Sequence, residues 1–106
     1  MWNVPTKERL AKMPMLRTTD HIPLKNTLIY LHFFIDGCDW WAAEYDGEDL
    51  LWGFVILSDH DYAEWGYFSL DELKRIKIGG WREVDCETEE NWTVKKASLI
   101  KGIKIY

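Results

Sequence analysis

The alternation of apolar and polar positions changes character at Asn26. Before it, Leu10 and Met13 fall at helical spacing after Pro5 and Thr6, which predicts a short helix ending at about Met13, where Pro14 stops it. Residues 14–26 carry Pro14 and Pro23 and read as an extended connection. After it the period is two. "TLIYLHFFI" (27–35), "WWAAEY" (40–45), "LLWGFVIL" (50–57) and "EWGYF" (64–68) predict four strands, separated by "DGCD", "DGED" and the loop "SDHDYA". "SLDELKRI" (69–76) predicts a helix: Ser69 suits the N-cap, Glu72 stands three residues later, and Lys74 and Arg75 suit the other end. Gly79 and Gly80 break the chain, "WREVDC" (81–86) is a candidate fifth strand, and residues 91–106 fit a strand or a short helix.

These elements predict an α+β fold. It is an antiparallel meander of four to five strands with a short N-terminal helix and a helix after strand four. Its 106 residues make one domain, with a core over 6–86 and a segment over 87–106 to which the pattern assigns no single structure. Tight turns set a register. Phe34 falls opposite Trp41, His32 opposite Ala43, Tyr45 opposite Leu50 and Trp41 opposite Phe54. Trp65 falls opposite Ile56, and Tyr67 opposite Phe54.

In that register one face collects Tyr30, His32, Phe34, Trp41, Tyr45, Trp52, Phe54, Trp65 and Tyr67. The other collects Ile29, Leu31, Phe33, Trp40, Glu44, Leu51, Val55 and Glu64. Both faces are apolar, so both need cover. The aromatic face is expected to be the more exposed one, because Tyr and Trp tolerate a half-wet surface. Tyr30, Trp41, Trp52, Trp65 and Tyr67 are therefore the candidate binding face, for a protein partner or a second copy.

Charge sharpens the picture. The 48 residues between Lys25 and Lys74 hold 11 acids and no base, within a net charge of −5. Such a block repels phosphate, so direct nucleic-acid binding is not expected. The first turn and the 58–63 loop lie at one end of the sheet, which gathers Asp36, Asp39, Asp59, His60, Asp61 and Glu64. Turn-capping carboxylates are the simplest reading of this end, with a basic partner peptide and a divalent cation as alternatives. No metal is assigned, and a single loop histidine does not make a zinc site.

Few residues suggest catalysis. His32 reads as a hydrogen-bonded histidine of the sheet. Glu44 and Glu64 share the second face but stand about 20 Å apart along the strands at about 3.3 Å per residue, too far for an acid/base pair. Glu44 is expected to pair with Arg9 or Lys12. Cys38, beside Asp36 and Asp39, is not read as a nucleophile, since carboxylates oppose a second negative charge. Cys38 and Cys86 form no framework and are expected to be free thiols of a cytoplasmic protein. There is no apolar run of membrane-spanning length, no signal-like start and no nucleotide motif, and no cofactor is expected.

The ordered string Phe33–Phe34, Trp41–Ala42–Ala43–Glu44, Asp46 to Asp49, Gly53–Phe54–Val55 and Glu64 to Leu73 resembles a family of small bacterial proteins of unknown function. Plasmids, phages and other mobile elements encode them. The resemblance covers about residues 6–76. It implies the same helix–sheet–helix order and a bacterial, mobile-element context, and it brings no activity with it. Three functions follow from the residues: a non-catalytic interaction or accessory module, an acidic mimic of nucleic acid that occupies a DNA-binding defence enzyme, and a small metal-dependent hydrolase using the Asp36–Asp59–Glu64 end.

Overall fold

The computed structural model describes residues 1–105. In chain order its elements are α1 (Lys7–Ala11), β1 (Leu28–Ile29), β2 (Leu31–Ile35), β3 (Cys38–Tyr45), β4 (Leu50–Leu57) and β5 (Glu64–Ser69). There follow α2 (Leu70–Arg75), β6 (Lys77–Ile78), β7 (Arg82–Glu83), β8 (Asp85–Cys86) and β9 (Lys95–Lys96). Five strands form the main antiparallel sheet in the order β5-β4-β3-β2-β8, flanked by two small ladders, β1-β9 and β6-β7. The fold is broadly α+β with two short helices.

Both helices are capped by their own sequence. Thr6 Oγ1 accepts from Arg9 N at 3.1 Å, and Ser69 Oγ accepts from Glu72 N at 3.1 Å. Asp49 adds a carboxylate at the start of α2, accepting from Asp71 N at 2.6 Å and from the Ser69 hydroxyl.

The strand register differs from the expected one in three places. Asp36 and Gly37 both have positive φ (42° and 83°), so a two-residue turn closes the first hairpin and β3 begins at Cys38. His32 therefore faces Trp41, and Phe34 faces Asp39. Trp65 likewise pairs with Phe54, and Tyr67 with Trp52. Both slips are of two residues, so they preserve the faces.

The third departure does change faces. Trp41 pairs with Phe54 as expected, but the ladder then shifts between Ala42 and Glu44, a β-bulge. Glu44 now pairs with Trp52, and Tyr45 with Leu51. Tyr45 leaves the Trp41 face and packs on the opposite core, while Glu44 and Glu64 no longer share a face. Glu44 sits across from Trp52, whereas Glu64 sits across from Val55. A break at Tyr30 acts similarly at the other end. Ile29 joins the Trp41 core, and Tyr30 packs against the core that holds Leu31 and Phe33.

The 81–86 segment is not one strand. Gly79 and Gly80, both at positive φ, turn the chain so that β7 pairs with β6. Only β8 reaches the main sheet, beside β2, with Phe33 opposite Cys86. The sheet is thus a four-strand meander with its fifth strand returned to the far edge.

Each face has its own core. Leu31, Phe33, Trp40, Ala42 and Leu51 pack under Met13, Leu70, Leu73 and Val84. Trp41, Phe54 and Ile56 pack under Ile29, Ala63 and Ala97, with Trp92, Ile100 and Ile103 beside them. Both faces are therefore covered, the aromatic one included, which was expected to be the more exposed. The C-terminal segment crosses it, tied down by two indoles: Trp92 Nε1 donates to Ile29 O at 3.1 Å, and Trp65 Nε1 to Lys104 O at 3.2 Å. Among the described residues, no helix is long and apolar enough to cross a membrane.

Candidate functional site

The expected aromatic site comes apart. Trp41 is buried and lies flat on His32, with centroids 4.9 Å apart and planes 6° apart. Trp52 and Trp65 stack on each other at 5.1 Å and are half-buried. Tyr30 belongs to the other core. Tyr67, at the outer strand, is the exposed member, with 54% of its surface open.

The acidic end also divides. Asp36 forms a two-pronged ion pair with Arg82, at 2.9 and 2.7 Å. Asp39 Oδ1 lies 2.8 Å from His32 Nε2, and Glu87 Oε2 lies 3.0 Å from His32 Nδ1. Two carboxylates thus bracket one imidazole, and Glu87 brings the C-terminal segment into that contact. Asp59 Oδ1 accepts from Asp61 N at 2.9 Å and opens the short 3-10 turn His60–Tyr62. The His60 carbonyl accepts from the Lys104 ammonium. Asp36 and Asp39 line one shallow concavity, and Asp59 and Glu64 another. Among the described residues, no group of three or more His, Cys, Asp and Glu side chains is placed to hold a metal ion.

Glu44 is buried but meets neither Arg9 nor Lys12. Its Oε1 accepts from Arg17 N at 2.8 Å, and its Oε2 from Thr19 N at 3.0 Å and from the Thr19 hydroxyl. It is a structural anchor for the 14–20 connection. Arg9 instead donates to Glu87 O at 2.9 Å, and Lys12 reaches Glu89 at 3.4 Å. Asp46 is likewise used inside the fold: Oδ1 accepts from the amides of Glu48, Asp49 and Leu50 at 2.8, 2.8 and 3.0 Å. Those hydrogen bonds hold its carboxyl below the usual range.

One open region is the β5 rim. A concavity of about 290 Å³ runs between the end of β4, the 3-10 turn and β5. Val55, Leu57, Tyr62 and Gly66 form its apolar part, and Asp59 and Glu64 supply its charge. Leu57 is 62% exposed and Tyr62 is 82% exposed. Among the described residues, β5 pairs with β4 alone, so its outer edge is free.

Leu57, Tyr62 and Gly66 were not among the sequence candidates. The glycine in a short strand was the available signal, since it marks a place where another chain can come close.

A second concavity, of about 510 Å³, lies between α1 and the 46–49 turn. Leu10, Met13, Met15 and Tyr45 line it, and Lys7 and Glu48 stand at its edge. Burial, and then Asp46, Asp49 and Glu48, push the Tyr45 phenol up from its ordinary value. Its lining includes one base and one acid, so it favours neither sign of ligand.

Compared with protein-family models, curated proteins and solved structures, the chain matches none.

Proposed function

We propose that this chain is a non-catalytic interaction module that holds a protein partner along the β5 rim. What carries the reading is Tyr67, Tyr62 and Leu57 standing open to solvent beside a strand whose outer edge is unpaired among the described residues, while Trp40, Trp41 and Phe54 of the same sheet are packed away. Tyrosine is a residue of binding hot spots, because it brings a large apolar area at small entropic cost. The carboxylates support the same view. Asp36, Glu44, Asp46 and Asp49 satisfy groups of the fold itself, whereas Glu64 and Asp59, the latter also capping its own turn, line the concavity at the β5 rim. The reading takes the partner to be a bacterial protein, as the family resemblance implies.

The test is position-specific photo-crosslinking in bacterial cells. A benzophenone amino acid at Tyr67 is expected to give a discrete, saturable adduct. The same group at exposed Leu99, on the C-terminal segment, is expected to give none. Equal labelling at both positions, or none at Tyr67, refutes the reading.

A further inference from the structure

We infer that the partner adds an extended segment to the free edge of β5 and seats a Lys or Arg side chain in the concavity beside Gly66. The inference deepens the interaction reading above and rests on it.

Unpaired strand edges are ordinarily guarded by Lys, Pro, a bulge or a covering segment, because their N–H and C=O groups template another strand. β5 reads Glu-Trp-Gly-Tyr-Phe-Ser and contains neither Lys nor Pro. Its ladder to β4 runs from Leu50–Ser69 to Val55–Glu64 without a shift, so no bulge turns it away. Among the described residues, the C-terminal segment touches the Trp65 indole through Lys104 O and forms no ladder with β5. Backbone groups on this edge are available for strand addition, in which main-chain hydrogen bonds give affinity and side-chain pockets give specificity.

Nothing lies within 4 Å of where a Gly66 side chain would begin. A residue of the added strand lying beside Gly66 can therefore cross β5 toward Val55 without obstruction. The cavity it enters is apolar along Val55, Leu57 and Tyr62 and anionic at Asp59 and Glu64. That mixed lining suits a long cationic side chain, whose methylene stem packs on apolar surface while its charge meets a carboxylate. Lys104 is a cation of the same region, but its ammonium is engaged by the His60 carbonyl. An acidic side chain meets two carboxylates here, and a short apolar one leaves them unmatched.

The probe is an acetylated, amidated peptide of alternating Lys and Thr, titrated into the ¹⁵N-labelled full chain. The comparison peptide carries Glu in place of Lys. Saturable shifts of the 64–69 amides with the Lys peptide, and none with the Glu peptide, are the expected result. Glu64→Gln and Asp59→Asn should each weaken binding by up to about fivefold, as expected for single partly exposed charge pairs. Gly66→Val should abolish binding without lowering the melting temperature. Should Gly66→Val unfold the protein, the two charge variants carry the test.

Absence of shifts, shifts centred away from β5, or equal binding of the Glu peptide overturns the inference. So does concentration-dependent dimerisation that protects the β5 amides, which would make a second copy the occupant. Crosslinking at Tyr67 with a silent Lys peptide refutes strand addition and leaves the interaction reading standing. Loss of the Tyr67 crosslink removes both.

Discussion

Gly53 lies against the carbonyl of Trp41 so closely that a Cβ built on Gly53 would stand 1.7 Å from that oxygen. The contact is backbone to side-chain position, across the ladder just before the bulge at Ala42–Glu44. No rotamer change relieves it, so β3 and β4 must part to admit even a methyl group.

Gly53→Ala is therefore expected to cost about 3 kcal/mol or more, the upper end of overpacking penalties. Gly66→Ala is the control on the next strand. Gly66 pairs with Gly53 across the ladder, yet has open space where its side chain would begin. Its substitution should change stability by less than about 0.5 kcal/mol. Urea denaturation of both variants measures the contrast. Equal effects would mean that β3 and β4 are not held at this spacing.

Glu44 owes its place across from Trp52 to that bulge. Its carboxylate satisfies two backbone amides and one hydroxyl of the 14–20 connection, where Arg17 holds a positive φ of 69°. Glu44→Ala leaves those partly buried donors without a partner and should cost about 2 kcal/mol. Glu44→Gln keeps the shape and one acceptor oxygen and should cost roughly half as much. Hydrogen exchange at Arg17 and Thr19 should accelerate in both variants, and more in Glu44→Ala. Unchanged exchange there would contradict the anchoring role.

The sheet was legible in the sequence because its signal is local. Period-two patterning and Asp-Gly turns give the strands, and Asp36–Gly37 falls where both residues take positive φ. The face assignments failed where one residue changed the count. The bulge at Ala43 and the break at Tyr30 are invisible to alternation, because small Ala and amphipathic Tyr fit either face. The roof was illegible for another reason. Trp92, Ala97, Ile100 and Ile103 follow no single period, and their purpose exists only once the sheet is formed. Of the candidate site, Tyr67, Asp59 and Glu64 could be named from sequence. The edge position that makes them matter required the strand order.

Cys86 and Cys38 should differ sharply in reactivity. Burial pushes the Cys86 thiol up to about 11, whereas Cys38 is half-exposed with its sulfur 3.4 Å from Ser58 Oγ. At pH 8 an aromatic disulfide reagent should titrate one thiol, Cys38, and reach the second only after unfolding. The shift also sets a pH window. The folded chain holds the Cys86 proton to higher pH than the unfolded chain, whose thiol ionises near about 8.5. The Cys86 contribution is therefore full below that value and is lost as pH rises through about 11. Denaturation midpoints of the wild type and Cys86→Ala should converge across that interval. Rapid labelling of both thiols in the native state would contradict the burial.

The roof over the aromatic face should be removable without dismantling the sheet. Trp92 donates to Ile29 O, lies 5.5 Å from the His32 ring and carries the Lys95 ammonium 4.5 Å above its own. It is half-buried, so Trp92→Ala should cost about 2 kcal/mol, below the range for a fully enclosed indole. The loss falls on contacts that the segment makes with Trp41, Phe54 and Ile56, while the opposite core under Leu70 and Leu73 keeps its packing. The variant should therefore retain its far-ultraviolet spectrum and gain binding of a hydrophobic dye. Its fast hydrogen exchange should be confined to the roof, reaching the Ala97 amide that bonds Thr27 O at 2.8 Å. Uniform acceleration across β2, β3 and β4 would show instead that the two cores unfold as one.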